Sequence, residues 1–85
     1  MDNKEYKWNK VKRIIHSFCK DVEEKTIKPS SYLIKDLGLD SISIMAIILK
    51  IEKEFNIEIN GQDFSDSTVD LAGDILGIIL KKIPT

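Results

Sequence analysis

The sequence predicts an all-α fold: a four-helix bundle with three principal helices, one short helix and a long first loop. Three observations lead there. Apolar residues recur at helical spacing in three separate stretches, near 11–22, 44–55 and 69–83. The one stretch that alternates like a strand, Ile57-Glu58-Ile59-Asn60, has no second strand to pair with. Between the first two apolar stretches lies a Pro29-containing connection too long for a tight turn.

The first helix is expected from about Glu5 to Glu24. Val11, Ile14, Ile15, Phe18 and Val22 form its apolar stripe, and Lys10, Lys12, Arg13, Lys20 and Asp21 its wet side. Residues 1–8 are polar apart from Tyr6 and Trp8, and either fray or lie on the domain. His16 and Cys19, three apart, have the spacing of half a metal site. There is no second His or Cys to complete it, so the pair reads as an edge histidine and a small core thiol.

Residues 25–40 form the long connection. Pro29 disfavours helix before it. Tyr32, Leu33, Ile34, Leu37 and Leu39 are expected to pin this loop onto the core. Gly38 suits a turn. The second helix is expected from Ser41 to Phe55, ended by Asn56, with Ile44, Ile47, Ile48, Ile51 and Phe55 as its core face. Ile57 and Ile59 turn inward from an extended segment, and Gln62 to Ser65 form one helical turn carrying Phe64. Ser67 or Thr68 should cap the last helix, with Asp70 in its first turn. Val69, Ala72, Ile75, Leu76, Ile79 and Ile83 form its core stripe, and Pro84 ends it. Gly73 and Gly77 allow close approach of the second helix or cost a little helicity.

Composition bounds the function. The 85 residues are read as one domain spanning 1–85, and 42% hydrophobic content makes a compact core feasible. A chain this short buries only about 60–65% of its unfolded surface, so stability should be modest. No run approaches the ~18 apolar residues of a membrane span. The charged start (Asp2, Lys4, Glu5, Lys7) lacks an apolar signal region. The single cysteine forms no internal disulfide, which suits a cytoplasmic location. Residues 1–35 carry +4 and residues 36–85 carry -5. The acidic second half argues against nucleic acid, and the basic first half lacks the aromatic interleaving of a nucleic-acid motif.

The chain is organised around Asp36-Leu37-Gly38-Leu39-Asp40-Ser41-Ile42. Asp40 and Ser41 are both good helix caps. A serine at a helix mouth exposes its hydroxyl, and the free amides and dipole there favour an added phosphate. The helix that follows is too apolar for a surface helix. Ile42, Met45, Ala46 and Leu49 make a second apolar stripe pointing away from the core face. That stripe is expected to be a partner surface beside Ser41, with Met45 as an adaptable contact. Together these features read Ser41 as a covalent attachment point and not as a catalytic nucleophile.

Two other readings compete. A plain helical interaction domain would use Ser41 only as a cap and Ile42, Met45 and Leu49 as its binding face. A hydrolase would need His16 within reach of Ser41, and adjacent Asp40 cannot easily orient a base that must also touch Ser41. There is no Gly-x-Ser-x-Gly elbow either.

Leu37-Gly38-Leu39-Asp40-Ser41-Ile42 resembles the Asp-Ser-Leu signature of the acyl carrier proteins, with Ile in the last place. Glu52-Lys53-Glu54-Phe55, Ile57-Glu58-Ile59 and the start of the last helix at Ser67-Thr68-Val69 are similar to the family's corresponding segments, so that the resemblance covers about residues 10–83. It implies that Ser41 is esterified by 4′-phosphopantetheine from coenzyme A through a separate magnesium-dependent transferase. The arm's thiol would carry acyl or aminoacyl groups, Asp40 would help position the transfer, and the protein would catalyse nothing itself. Implied partners are the phosphopantetheinyl transferase and the loading and pathway enzymes; the carrier is expected to be monomeric. Primary fatty-acid carriers are strongly acidic along the second helix. Here the exposed stripe is Ile42, Ser43, Met45, Ala46 and Leu49, with Lys50 and Lys53 beyond. The expectation is therefore a carrier for a specialised polyketide or nonribosomal peptide pathway, a fatty-acid carrier being the alternative.

Overall fold

The computed structural model describes residues 3–66 and 69–83, the side chains of 3 and 64–66 excepted. Among the described residues four α-helices follow one another: α1 Asn3–His16, α2 Ser41–Phe55, α3 Gly61–Asp66 and α4 Ala72–Lys82, with a 3-10 turn at Glu24–Thr26 inside the long first connection. Helix α1 packs against both α4 and α2. The core is Val11, Ile14 and Ile15 from α1, Ile47, Ile48 and Ile51 from α2, and Ala72, Ile75, Leu76, Ile78 and Ile79 from α4. Ile27, Leu33, Leu37, Leu39 and Ile59 close it from the connections. Each fully buried Ile or Leu contributes roughly 1.5–3 kcal/mol, so the aliphatic stripes dominate the stability of the bundle.

Helix α1 ends eight residues before the expected Glu24. Its last turn tightens, with the Phe18 amide donating to Ile15 O (3.0 Å) and the Cys19 amide to His16 O (3.0 Å). The Ser17 hydroxyl caps Ile14 O at 2.6 Å. Phe18, Cys19 and Val22 still pack on the core, although the chain there is no longer helical. Their apolar spacing therefore imitates a helix that stops at His16. At the other end residues 3–8 are helical and lie on the domain: Lys7 is buried, its stem covering apolar surface, and Trp8 packs on the core.

Helix α2 runs over the expected residues. Asn56 ends it in the left-handed conformation (φ 54°), its amide donating to Glu52 O. Ile59 is buried and Ile57 half-buried, as their alternation implied, and the Glu52 carboxylate accepts the Ile59 amide at 2.8 Å. Helix α3 occupies the expected single-turn region. The side chain of Phe64 lies outside the described residues.

Helix α4 starts at Ala72. Ser67 and Thr68, the expected caps, and Pro84, the expected stop, lie outside the described residues. The later start has a physical cause. Leu71 forms an isolated antiparallel bridge with Tyr32, and the Leu33 amide donates to Asp70 O (2.9 Å). This pairing holds Asp70 and Leu71 extended and makes Leu71 the residue before the helix. A leucine side chain offers no acceptor, so Asp74 reaches back instead and accepts the Asp70 and Leu71 amides at 2.9 and 2.8 Å. The first loop completes this cap: Ser31 O accepts the Ala72 amide and Pro29 O the Gly73 amide, each at 2.9 Å. Gly73 thus permits close approach of Pro29, not of α2, while Gly77 faces open space. Ile78, absent from the expected stripe, is also buried.

Candidate functional site

The loop 32–39 is closed on itself. The Asp36 and Leu37 amides donate to Tyr32 O, the Gly38 amide to Ile34 O and the Leu39 amide to Leu33 O. The Asp36 carboxylate accepts the Tyr32 amide at 2.9 Å. Gly38 supplies the left-handed residue this needs (φ 70°). Leu33, Leu37 and Leu39 point inward as expected, but Tyr32 and Ile34 do not: both are exposed. Three inward leucines are enough to fix the loop, and the compact turn leaves the side chains between them outside.

From this anchored loop the chain enters α2. Asp40 is the N-cap, in extended conformation, and its carboxylate accepts the Ser43 amide at 2.7 Å. That hydrogen bond is the main cause holding the Asp40 carboxyl below its ordinary pKa, with further support from neighbouring amides. Ser41 is the first helical residue and is exposed. Its hydroxyl has no hydrogen-bond partner among the described residues. The cap task that a serine could perform here is already taken by Asp40. Ser43, half-buried, and Asp40 line a cleft of ≈ 570 Å³ that also touches Cys19, Lys35 and Leu37.

The second stripe of α2 is unpartnered. Ile42 is 81% exposed, Met45 53% and Leu49 59%, which is far from the complete burial of Ile47 and Ile51 on the opposite face. Ala46 is half-buried between them and Lys53 continues the stripe into solvent. Among the described residues no loop buries Ile42, Met45 or Leu49. Of the two acids on α2, Glu52 is tied to the Ile59 amide and Glu54 to Lys10 Nζ at 2.8 Å. The Lys10 ion pair lowers the Glu54 pKa and raises that of Lys10.

His16 does not line the cleft beside Asp40 and Ser43, whereas Cys19 does. His16 Nδ1 lies 3.9 Å from Glu24. The Cys19 thiol approaches Ile15 O at 3.4 Å, and burial raises its pKa, which keeps it a poor nucleophile at neutral pH. Among the described residues no cluster of His, Cys, Asp and Glu could hold a metal ion, and no helix is long and apolar enough to cross a membrane. The sequence reading missed the exposure of Tyr32 and Ile34.

Residues 9–78 match the family described as a phosphopantetheine attachment site. The chain is 32% identical over 83 residues to an acyl carrier protein of Thermotoga maritima, covering 98% of this chain and 99% of that one. It is 33% identical over 72 residues to a putative mitochondrial acyl carrier protein of Schizosaccharomyces pombe, covering 85% of this chain but 62% of that protein's length. A 39-residue segment is 46% identical to the acyl carrier protein AcpXL of Rhizobium meliloti, covering 46% of this chain and 41% of that one. Among solved structures, the acyl carrier protein from Enterococcus faecalis superposes with a TM-score of 0.73 at 28% identity, over 95% of this chain and 99% of that one.

Proposed function

The chain belongs to the acyl carrier proteins, the phosphopantetheine-attachment family, and from that membership we propose that Ser41 is the serine that bears the arm. The observation that carries this is the geometry at the start of α2. Asp40 takes over the cap, which leaves the Ser41 hydroxyl exposed and unengaged at a helix N-terminus. The residues fit a phosphodiester: the dipole and first-turn amides favour negative charge there, and Ser41 is exposed. Bound there, 4′-phosphopantetheine supplies a thiol that holds an acyl or aminoacyl group as a thioester. The protein's own part is presentation. The 32–39 loop fixes the entry to α2, Asp40 holds the first turn in place, and Ser41 Oγ offers the nucleophilic oxygen to a separate transferase. The carrier itself performs no catalysis.

The partner face is the stripe of Ile42, Met45, Ala46 and Leu49, with Lys53 at its far end. It receives the transferase and the enzymes that load and process the cargo. The absence of any acid on α2 before Glu52 supports a dedicated carrier of a specialised polyketide or nonribosomal peptide pathway over a primary fatty-acid carrier. A reducing compartment such as the cytoplasm suits the unpaired Cys19. The test is intact mass after incubation with coenzyme A, magnesium and a promiscuous phosphopantetheinyl transferase. One arm should be gained by the wild type and none by Ser41→Ala. No gain by a folded wild type across a panel of transferases would leave a helical interaction domain instead.

A further inference from the structure

The partner face has a polarity. At the Ser41 end the carboxylates of Asp36 and Asp40 are exposed, and with Lys35 on the same cleft the balance there is one net negative charge. The middle is apolar: Ile42, Met45 and Leu49. At the far end α2 exposes Lys50, Lys53 and Glu54. Lys53 has no ion-pair partner among the described residues, and Lys50 is exposed beside it. Glu54, the acid beside Lys50, is ion-paired with Lys10 Nζ at 2.8 Å, so the Lys10–Glu54 pair adds no net charge and Lys50 and Lys53 remain in excess. Glu52 turns to the Ile59 amide. Beyond Lys53 a shallow recess opens between Leu49 and Ile57, with Glu58 on its rim. At 1.5 Å per residue the cationic end lies about 16 Å along the helix from Ile42.

From this charge order, and resting on the carrier reading above, we infer that α2 docks into an apolar groove whose far rim carries carboxylates facing Lys50 and Lys53. The occupant is a pathway enzyme of that surface chemistry, not one with a uniformly basic docking patch. A basic patch would meet Lys50 and Lys53 with like charge, which suppresses wrong partners more strongly than it weakens right ones. The apolar middle supplies contact area, and the charges fix direction, so that the Ser41 end always points toward the partner's entrance.

The test uses two synthetic amphipathic helical peptides with the same leucine face, one flanked by glutamates and one by lysines. Binding to the full chain is measured by fluorescence anisotropy at low and high salt, and the site is mapped by amide chemical shifts. The glutamate peptide should bind roughly fivefold or more tighter at low salt, with shifts confined to the Ile42–Lys53 face. The double variant Lys50→Glu/Lys53→Glu should reverse that preference; both positions are exposed, and circular dichroism confirms the fold. Equal affinity for the two peptides, a preference that survives the double reversal, or a concentration-dependent dimer that occupies the face would overturn the inference. Peptide binding is read on the chain without an arm, so failure here leaves the carrier assignment standing, and failure of Ser41 loading leaves this result readable.

Discussion

Two glycines four residues apart on α4 should respond to alanine with opposite signs. A Cβ built on Gly73 would lie 2.9 Å from Pro29 O, 3.1 Å from Pro29 Cβ and 3.3 Å from Pro29 Cα. The first contact is backbone, so relief requires moving the loop. Movement would stretch the Gly73 amide bond to Pro29 O and the Ala72 amide bond to Ser31 O. Overpacking of this kind costs about 1–3 kcal/mol, and the better helix propensity of alanine returns at most about 1 kcal/mol. The net loss for Gly73→Ala is therefore about 1–2 kcal/mol. A Cβ on Gly77 meets nothing within 4 Å, so Gly77→Ala should keep the propensity gain of about 0.8–1 kcal/mol. For a chain of this length 1 kcal/mol corresponds to roughly 5–6 °C in Tm. The variants should thus move apart by some 10–15 °C, one below the wild type and one above it. Thermal and urea unfolding followed by circular dichroism measure both. If Gly73→Ala proved as stable as Gly77→Ala, the loop would not be clamped on the start of α4 as described.

Leu49→Glu should reduce turnover by onward pathway enzymes about tenfold or more while affecting phosphopantetheinylation less, because it places a charge mid-stripe, two turns from Ser41; equal loss in both assays, or none, would count against this division of the surface. Ile47→Ala, in the fully buried face of the same helix, should cost about 2–5 kcal/mol in urea unfolding, which separates core from docking face within one element. Asp40→Ala should lower Tm by a few degrees through loss of the cap and Asp40→Asn by less, since an amide oxygen still accepts the Ser43 amide. The carboxyls of Asp40, Glu54 and Asp63 are all held below their ordinary pKa values, Asp40 by the Ser43 amide, Glu54 by Lys10 and Asp63 chiefly by the Asn60 amide. Depressed carboxyls stabilise the fold above their unfolded pKa values, so stability should be flat near neutrality and fall as pH drops below about 4. Stability that rose on acidification through that range would contradict these assignments.

Helix α2 was legible to within about a residue because its signals agree: cap residues at one end, an asparagine at the other and unbroken periodicity between them. The ends of α1 and α4 were not, because tertiary contacts decide them. Phe18 and Val22 keep helical spacing while packing from a non-helical segment, so periodicity overran the true end at His16. The start of α4 depends on pairing between Tyr32 and Leu71, residues far apart in sequence, which no local pattern announces. The role of Gly73 was read as a helix contact for the same reason: its neighbour, Pro29, comes from the distant loop. At the site, the exposure of Ile42, Met45 and Leu49 followed from counting apolar faces on a helix in a small domain. The exposure of Tyr32 and Ile34 did not, because an apolar loop residue gives no period from which to tell inside from outside.

The central claim is that the arm is attached to Ser41 and to no other serine. Trypsin should release residues 36–50 as one peptide holding two serines, Ser41 and Ser43. Tandem mass spectrometry of that peptide, after loading by a phosphopantetheinyl transferase, places the added mass between them. Fragment ions should carry the arm on Ser41, the exposed residue, and leave Ser43, half-buried with its amide on Asp40, unmodified. An arm found on Ser43, or on a serine outside this peptide, would contradict the reading of α2's first turn.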